Sequence, residues 1–391
     1  MKTRLTTLSA LLLPLAALLG AAAGGVWWAM AQREGAEQVG AKVSHAVSPL
    51  LPAPKSPAPT NASSPQAPGL GSELAAVWKA LAENPADAKA ALDALTLRLR
   101  ALPGNEAAAA IRAFLDGHED ATTQLPFAIG EGGALATAPT FRVWLLDALA
   151  QVAPEAAAAY AETILATHES AEEWAVSLRD FARVRVTPGD TAFLTAKMRE
   201  LLGDARWQSA ASVGWLEAFD VAVHTRATVL TPELARLLVR TEDGARPAAH
   251  AAFLTLDRLV LAEPVAMLGR LQAEPELMTG RELTRANYFA RADVRDPQQR
   301  ALVEQYLLDP RRSPEELGKF TALYPNANRM LSKNLLTPIE TPSHDDLAAH
   351  DREALGVVDA WLKDPRFAKL HASLAGTRQR VEEFVRQAGE R

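Results

Sequence analysis

From Ser72 to Arg391 apolar side chains recur at intervals of three and four residues, and proline, glycine or a capping residue interrupts the pattern roughly every ten to twenty positions. That interval is the period of one helix face. No segment alternates apolar and polar residues as a half-buried strand would. The first stripe is Leu74, Val77, Trp78 and Leu81, and the second is Leu92, Leu95, Leu99 and Leu102, ended by Pro103-Gly104. Later stripes run through Phe141, Trp144, Leu145 and Leu149, through Tyr160, Ile164 and Leu165, through Trp174, Leu178 and Phe181, and through Leu234, Leu237 and Leu238.

Helix starts carry their own grammar. Thr231-Pro232-Glu233, Ser313-Pro314-Glu315, Ala153-Pro154-Glu155 and Asp296-Pro297-Gln298 place proline in a first turn, where its missing amide hydrogen would have been unpaired anyway. Counting such signals gives roughly fifteen to eighteen short helices joined by short connections. The fold class expected is therefore all-α, with antiparallel hairpins stacked as an irregular α-solenoid or α-α superhelix. The architecture resembles HEAT-like solenoids, but the spacing of starts is irregular and no tetratricopeptide, ankyrin or leucine-rich signature recurs at a fixed period, so it names no family. A compact, non-repetitive helical domain is the alternative. Gln124 to Thr140, with Pro126, Gly130, Gly132, Gly133 and Pro139, is the least helical stretch and a candidate loop, lid or subdomain boundary. Leu347, Leu355, Val358, Trp361 and Leu362, then Leu370, Leu374, Val381, Phe384 and Val385 beyond Asp364-Pro365, predict a closing helix pair with a charged outer face.

Ahead of this body, Lys2 and Arg4 precede an uncharged run from Leu5 to Ala31. As a helix it would be about 40 Å long, against a hydrocarbon core of about 30 Å. Leu5, Leu12 and Leu19 lie in the apolar run, and Trp27 and Trp28 stand where an interfacial aromatic belt would sit. Residues 1–34 thus read as an uncleaved membrane anchor. A cleaved signal peptide is the alternative, since Ala21-Ala22-Ala23 and Ala29-Met30-Ala31 fit the small-x-small pattern. Either way the positive end stays inside, so the expected location is a bacterial-type inner membrane, single-pass, with the bulk of the chain in the periplasm or outside, or secretion after cleavage. Residues 35–71 follow as a linker with Pro49, Pro52, Pro54, Pro57, Pro59, Pro65 and Pro68, reaching roughly 35 Å as coil and at most about 110 Å extended. Asn61-Ala62-Ser63 is a glycosylation sequon only in a eukaryotic secretory pathway. Residues 72–391 form the helical domain, with a possible subdivision near 124–140.

Composition removes several kinds of chemistry. The 391 residues contain no Cys, which excludes disulfides, thiolate metal sites and a Cys nucleophile. The formal net charge is -6; leaving Lys2 and Arg4 on the cytoplasmic side gives 39 basic against 47 acidic residues, or -8, on the exported part. Such a balance argues against binding the phosphate backbone of a nucleic acid.

The densest titratable cluster is His344-Asp345-Asp346 with His350-Asp351. If Ser343 caps a helix, Asp346 and His350 lie one turn apart, a spacing that can hold a divalent metal. The cluster resembles the paired His and Asp of metal-dependent phosphohydrolases of the HD type, although no matching set of further ligands on other helices is evident. The competing reading places Asp345 and Asp346 in a helix's first turn, where negative charge suits the dipole. His168-Glu169-Ser170 is similar to the catalytic Glu-Ser pair of the lytic transglycosylases, but the Gly-Leu-Met-Gln stretch of that family is replaced by Ala171-Glu172-Glu173-Trp174. Ser170 and Glu173 read as a capping box. His118-Glu119-Asp120 reads as a polar turn. Gly130-Glu131-Gly132-Gly133 lacks the Lys-Ser/Thr of a phosphate loop and reads as a flexible connection. Tyr324-Pro325-Asn326-Ala327-Asn328-Arg329 reads as an interhelical turn. Trp207, Trp215 and Phe219 are expected on one helix face, as core rather than as a sugar platform.

No motif implies a cofactor. The function expected is a membrane-tethered extracytoplasmic scaffold that binds a protein or peptide partner in the cell envelope, without catalytic activity. The alternative is a metal-dependent hydrolase of an envelope substrate built on His344, Asp346 and His350.

Overall fold

Helices form where stripes and stop signals coincide, and the computed structural model, which describes residues 69–240, 244–328, 333–338 and 341–389, is mostly helical. The anchor residues Leu5, Leu12, Leu19, Trp27 and Trp28, the Pro-rich stretch through residue 68 and Arg329 lie outside the described residues. Helix α1 spans Leu70–Glu83, so Leu70 and Gly71 belong to the helical body rather than to the linker. Leu70 packs its side chain into the core, and that gain extends the helix N-terminally past Ser72. Next come α2 (Ala88–Arg100) and α3 (Gly104–Leu115).

The segment from Gln124 to Thr140 contains no α-helix; it forms a short antiparallel ribbon, β1 (Ala128–Ile129) and β2 (Leu135–Thr137), joined through a single 3-10 turn at Glu131–Gly133. Gly132 and Gly133 turn the chain with φ of 59° and 73°, the region that favours glycine. Two strands this short give no alternation to read, which is why only the turn was legible.

Helices α4 (Phe141–Val152), α5 (Pro154–Ile164), α6 (Ala171–Val184) and α7 (Pro188–Gly203) follow. Thr140 and Ser170 cap α4 and α6 by accepting the amide hydrogens of Val143 and Glu173. The capping box expected at α6 does not close, because the Glu173 carboxylate turns inward to Arg142 at 2.9 Å and 3.2 Å. A closed box forms instead on α7, between Thr187 and Asp190.

Three short helices, α8 (Ala205–Ser209), α9 (Val213–Glu217) and α10 (Asp220–His224), carry the chain across the middle of the body. Trp207 and Trp215 therefore do not share a helix face. The break between them is made by Ser212, whose side chain caps α9 through the Trp215 amide. Both rings are buried all the same, Trp207 against Trp174 and Trp215 against Phe219.

The remainder is α11 (Thr231–Leu238), α12 (Arg246–Ala262), α13 (Pro264–Ala273), α14 (Glu282–Phe289), α15 (Pro297–Leu308), α16 (Pro314–Leu323), α17 (His344–Lys363) and α18 (His371–Gly389). Five of these eight begin with proline at the first or second position. Helices pack mainly in neighbouring pairs: α3 on α4, α5 on α6, α11 on α12, and α17 on α18 across the connection Pro365–Leu370. An aromatic file, Phe289, Tyr306, Phe320, Tyr324, Trp361 and Phe367, ties α14–α16 to the last pair with ring centroids 4.1 to 5.8 Å apart. The described residues form one unit with one continuous apolar core.

Candidate ligand cleft

A charged residue inside an apolar run must find a partner when the run is buried, and Asp220 sits in such a run, between Phe219 and Val221. Its carboxylate, 4% exposed, accepts the amide hydrogens of Leu336 at 2.7 Å and Thr337 at 3.0 Å, together with Arg258 at 2.6 Å and the Thr337 hydroxyl. Arg258 also donates to the Thr337 hydroxyl. Residues 333–338 are thus strapped onto α10 by the main chain of Leu336 and Thr337, and onto α12 through the Thr337 hydroxyl. On the other side of the strap, Arg183 of α6 donates to the Leu335 carbonyl at 3.1 Å and to the Gly132 carbonyl at 2.5 Å. A Cβ on Gly133 would stand 2.1 Å from the Leu335 oxygen, so the strap and the glycine turn fit only with glycine there. The Leu335 side chain is fully buried.

Beside the strap a cleft of about 550 Å³ opens between α9–α10 and α12. One wall is Glu217, Asp220 and His224, at three- and four-residue spacing across the short break between α9 and α10. The facing wall is a single stripe of α12, namely Pro247, Ala251, Leu254, Arg258 and Leu261, and Asn334, Thr337 and Pro338 close one side. The lining mixes apolar side chains with charged and polar ones in similar number, a surface that offers both burial and hydrogen bonding to a ligand.

Most charged groups of the lining are paired: Asp220 with Arg258, Arg226 with Glu263 at 2.9 Å, and Asp257 with Arg291. Glu217 has no ion pair or hydrogen bond among the described residues. Burial, and secondarily the neighbouring Asp220 carboxylate, push its carboxyl above the usual range, while Arg258 pulls the other way. His224 and His250 are exposed at the cleft and paired with no carboxylate among the described residues.

Behind the strap lies a sealed network. Arg179, fully buried, donates to Asp147 at 2.5 Å, to Asp180 at 2.7 Å and to the Gly133 carbonyl at 2.9 Å. Arg179 bonds to both carboxylates, and burial pushes the Asp180 carboxyl up to about 6 against the pull of Arg179 and, more weakly, of Arg183.

The residues singled out in the sequence lie elsewhere. Ser343 caps α17 as expected, and Asp346 and His350 stand one turn apart on it. Asp346 is engaged by Arg295 at 2.6 Å, His344 is exposed, and His350 is buried with its Nδ1 3.5 Å from Asp351. Among the described residues no three His, Asp or Glu side chains gather as a metal site would require. The His168 ring packs against both Trp174 and Trp207, with centroids 4.7 and 5.7 Å away, and reaches Asp204 and Glu200 at 3.6 and 3.5 Å. The Asp120 carboxylate of the His118-Glu119-Asp120 turn accepts the Arg142 amide hydrogen. In the Tyr324 turn, the Asn326 amide donates to the Ala290 carbonyl at 2.8 Å.

Sequence reasoning passed over Glu217, Asp220, Arg258 and the strap. The available signal was Asp220 itself, an acid amid Trp215, Leu216, Phe219, Val221 and Val223. Its partner lies 117 positions away. No local pattern records a pairing at that range. No family model, no curated protein and no solved structure matches this chain.

Proposed function

We propose that this chain is a membrane-tethered helical scaffold that binds a peptide or protein partner in the cleft between α9–α10 and α12. The observation that carries the reading is the strap. Asp220, on the α10 wall of the cleft, holds the amides of Leu336 and Thr337, while Arg183 of α6 holds the Leu335 carbonyl from behind the strap. A surface that grips one such segment through its main chain, with an open cleft of mixed apolar and polar lining beside it, is chemically suited to grip a second. The neighbouring helix pairs continue, on this reading, as an irregular α-solenoid. The leader bearing Leu5, Leu12, Leu19, Trp27 and Trp28 tethers the scaffold to the inner membrane and places the cleft in the periplasm, where the partner is an envelope protein.

A photo-crosslinking residue placed at Leu254 in the full-length protein, and compared in cells with the same residue at the exposed Leu97, tests the reading. The expected result is a discrete adduct at position 254 that is absent at position 97 and is lost when Ala251→Trp, on the cleft-facing stripe of α12, fills the cleft. Identical adduct patterns at the two positions would overturn it.

A further inference from the structure

We infer that the cleft selects a partner segment carrying a lysine or arginine, and that Glu217 is the group that receives its charge. The inference rests on the peptide-binding reading above and specifies the chemistry of what enters.

It starts from an imbalance. The cleft is lined by three acidic groups, Glu217, Asp220 and Asp257, and by two guanidinium groups, Arg226 and Arg258. Asp220 is consumed by Arg258 and the strap amides, Asp257 by Arg291, and Arg226 by Glu263. Glu217 is left over, a half-buried carboxylate with no hydrogen bond or ion pair among the described residues.

A carboxylate removed from bulk water without a partner is held at a cost that an incoming cation removes. The surroundings suit a long basic side chain in particular. Leu216, Leu254 and Leu261 line the same cleft and offer apolar surface for the methylene stem, while the charged head meets Glu217. An acidic segment would face the unpaired Glu217 carboxylate and is disfavoured by like charge. Arg258 offsets the Glu217 charge only in part, because its guanidinium bonds to Asp220 and Thr337 and makes no hydrogen bond to Glu217.

The test is a selection of short random displayed peptides on the full-length protein in detergent, followed by sequencing. The parent is expected to enrich peptides with Lys or Arg at one position about tenfold over the input, the value of one charge-assisted contact. Glu217→Gln, which keeps size and shape, abolishes that preference while still selecting peptides that Leu254→Arg excludes. Glu217→Lys reverses it toward acidic residues. Peptides selected by the parent without basic enrichment, or enrichment unchanged by Glu217→Gln, would overturn the role of Glu217 and leave peptide binding standing. Failure to select any peptide sensitive to Leu254→Arg would overturn the peptide reading, and this inference with it.

Discussion

The Thr337 amide donates to Asp220 at 3.0 Å across 117 positions of sequence, and this contact joins a buried helix to a segment without regular structure. It sets the floor of the cleft, since residues 333–338 have no helix or ribbon of their own to satisfy their backbone groups. Asp220→Ala removes the acceptor of two amides, a hydroxyl and a guanidinium at once. The expected loss is roughly 2–4 kcal/mol in chemical denaturation, with faster proteolysis near Leu336. Gly133→Ala pushes on the strap from the other side through the Leu335 carbonyl and is expected to raise cleavage at the same place. Unchanged cleavage in both variants would show that the strap is held by other means.

Arg142 and Glu173 form a two-pronged pair, 6% and 10% exposed, that joins α4 to α6, with Arg142 also donating to the Leu115 carbonyl at 2.8 Å. Arg142→Met strands a buried carboxylate and is expected to cost about 3–5 kcal/mol in denaturant unfolding. The double change Arg142→Met with Glu173→Leu removes both charges and is expected to recover most of that loss. Equal losses in the single and double variants would contradict it.

Asp180 makes stability depend on pH in a definite direction. Its carboxyl rises from 3.8 to about 6 on folding, so the folded chain binds the proton more tightly than the unfolded one. The resulting stabilisation is full below the unfolded value and is lost as pH rises through about 6. Asp180→Asn has no charge to desolvate. Its Tm relative to the parent is expected to move in the variant's favour between about pH 4 and pH 7.5. A constant difference across that range would exclude Asp180 as the titrating group.

Most of the helices could be read from the chain, because stripe, cap and proline act within one or two turns. Ser343 and Ser313 cap where the sequence placed them. What escaped detection was non-local: the inward turn of Glu173 toward Arg142, the break that separates Trp207 from Trp215, and the seating of the strap on Asp220. His344, Asp346 and His350 attracted notice through adjacency in sequence, yet Asp346 faces Arg295, 51 positions away. The cleft is assembled from α9, α10, α12 and the strap, and each contributes residues that are unremarkable in isolation.

The proposed tether predicts a single orientation for the chain. A reporter that is active only outside the cytoplasm, fused after Arg391, is expected to be active in the full-length chain and silent when residues 1–34 are deleted. Activity of a cytoplasm-only reporter at the same site would contradict the tether.

The central claim is that the cleft beside the strap holds a partner, and quantitative co-purification of the full-length protein from solubilised membranes tests it most directly. Parent, Leu254→Arg and Leu97→Arg are compared, the last altering a side chain that is 70% exposed and outside the cleft lining. One polypeptide is expected at a fixed ratio with the parent and with Leu97→Arg, and at least tenfold less with Leu254→Arg, about 1.4 kcal/mol or more of lost affinity. Recovery of the same proteins at the same ratios from all three would contradict the account.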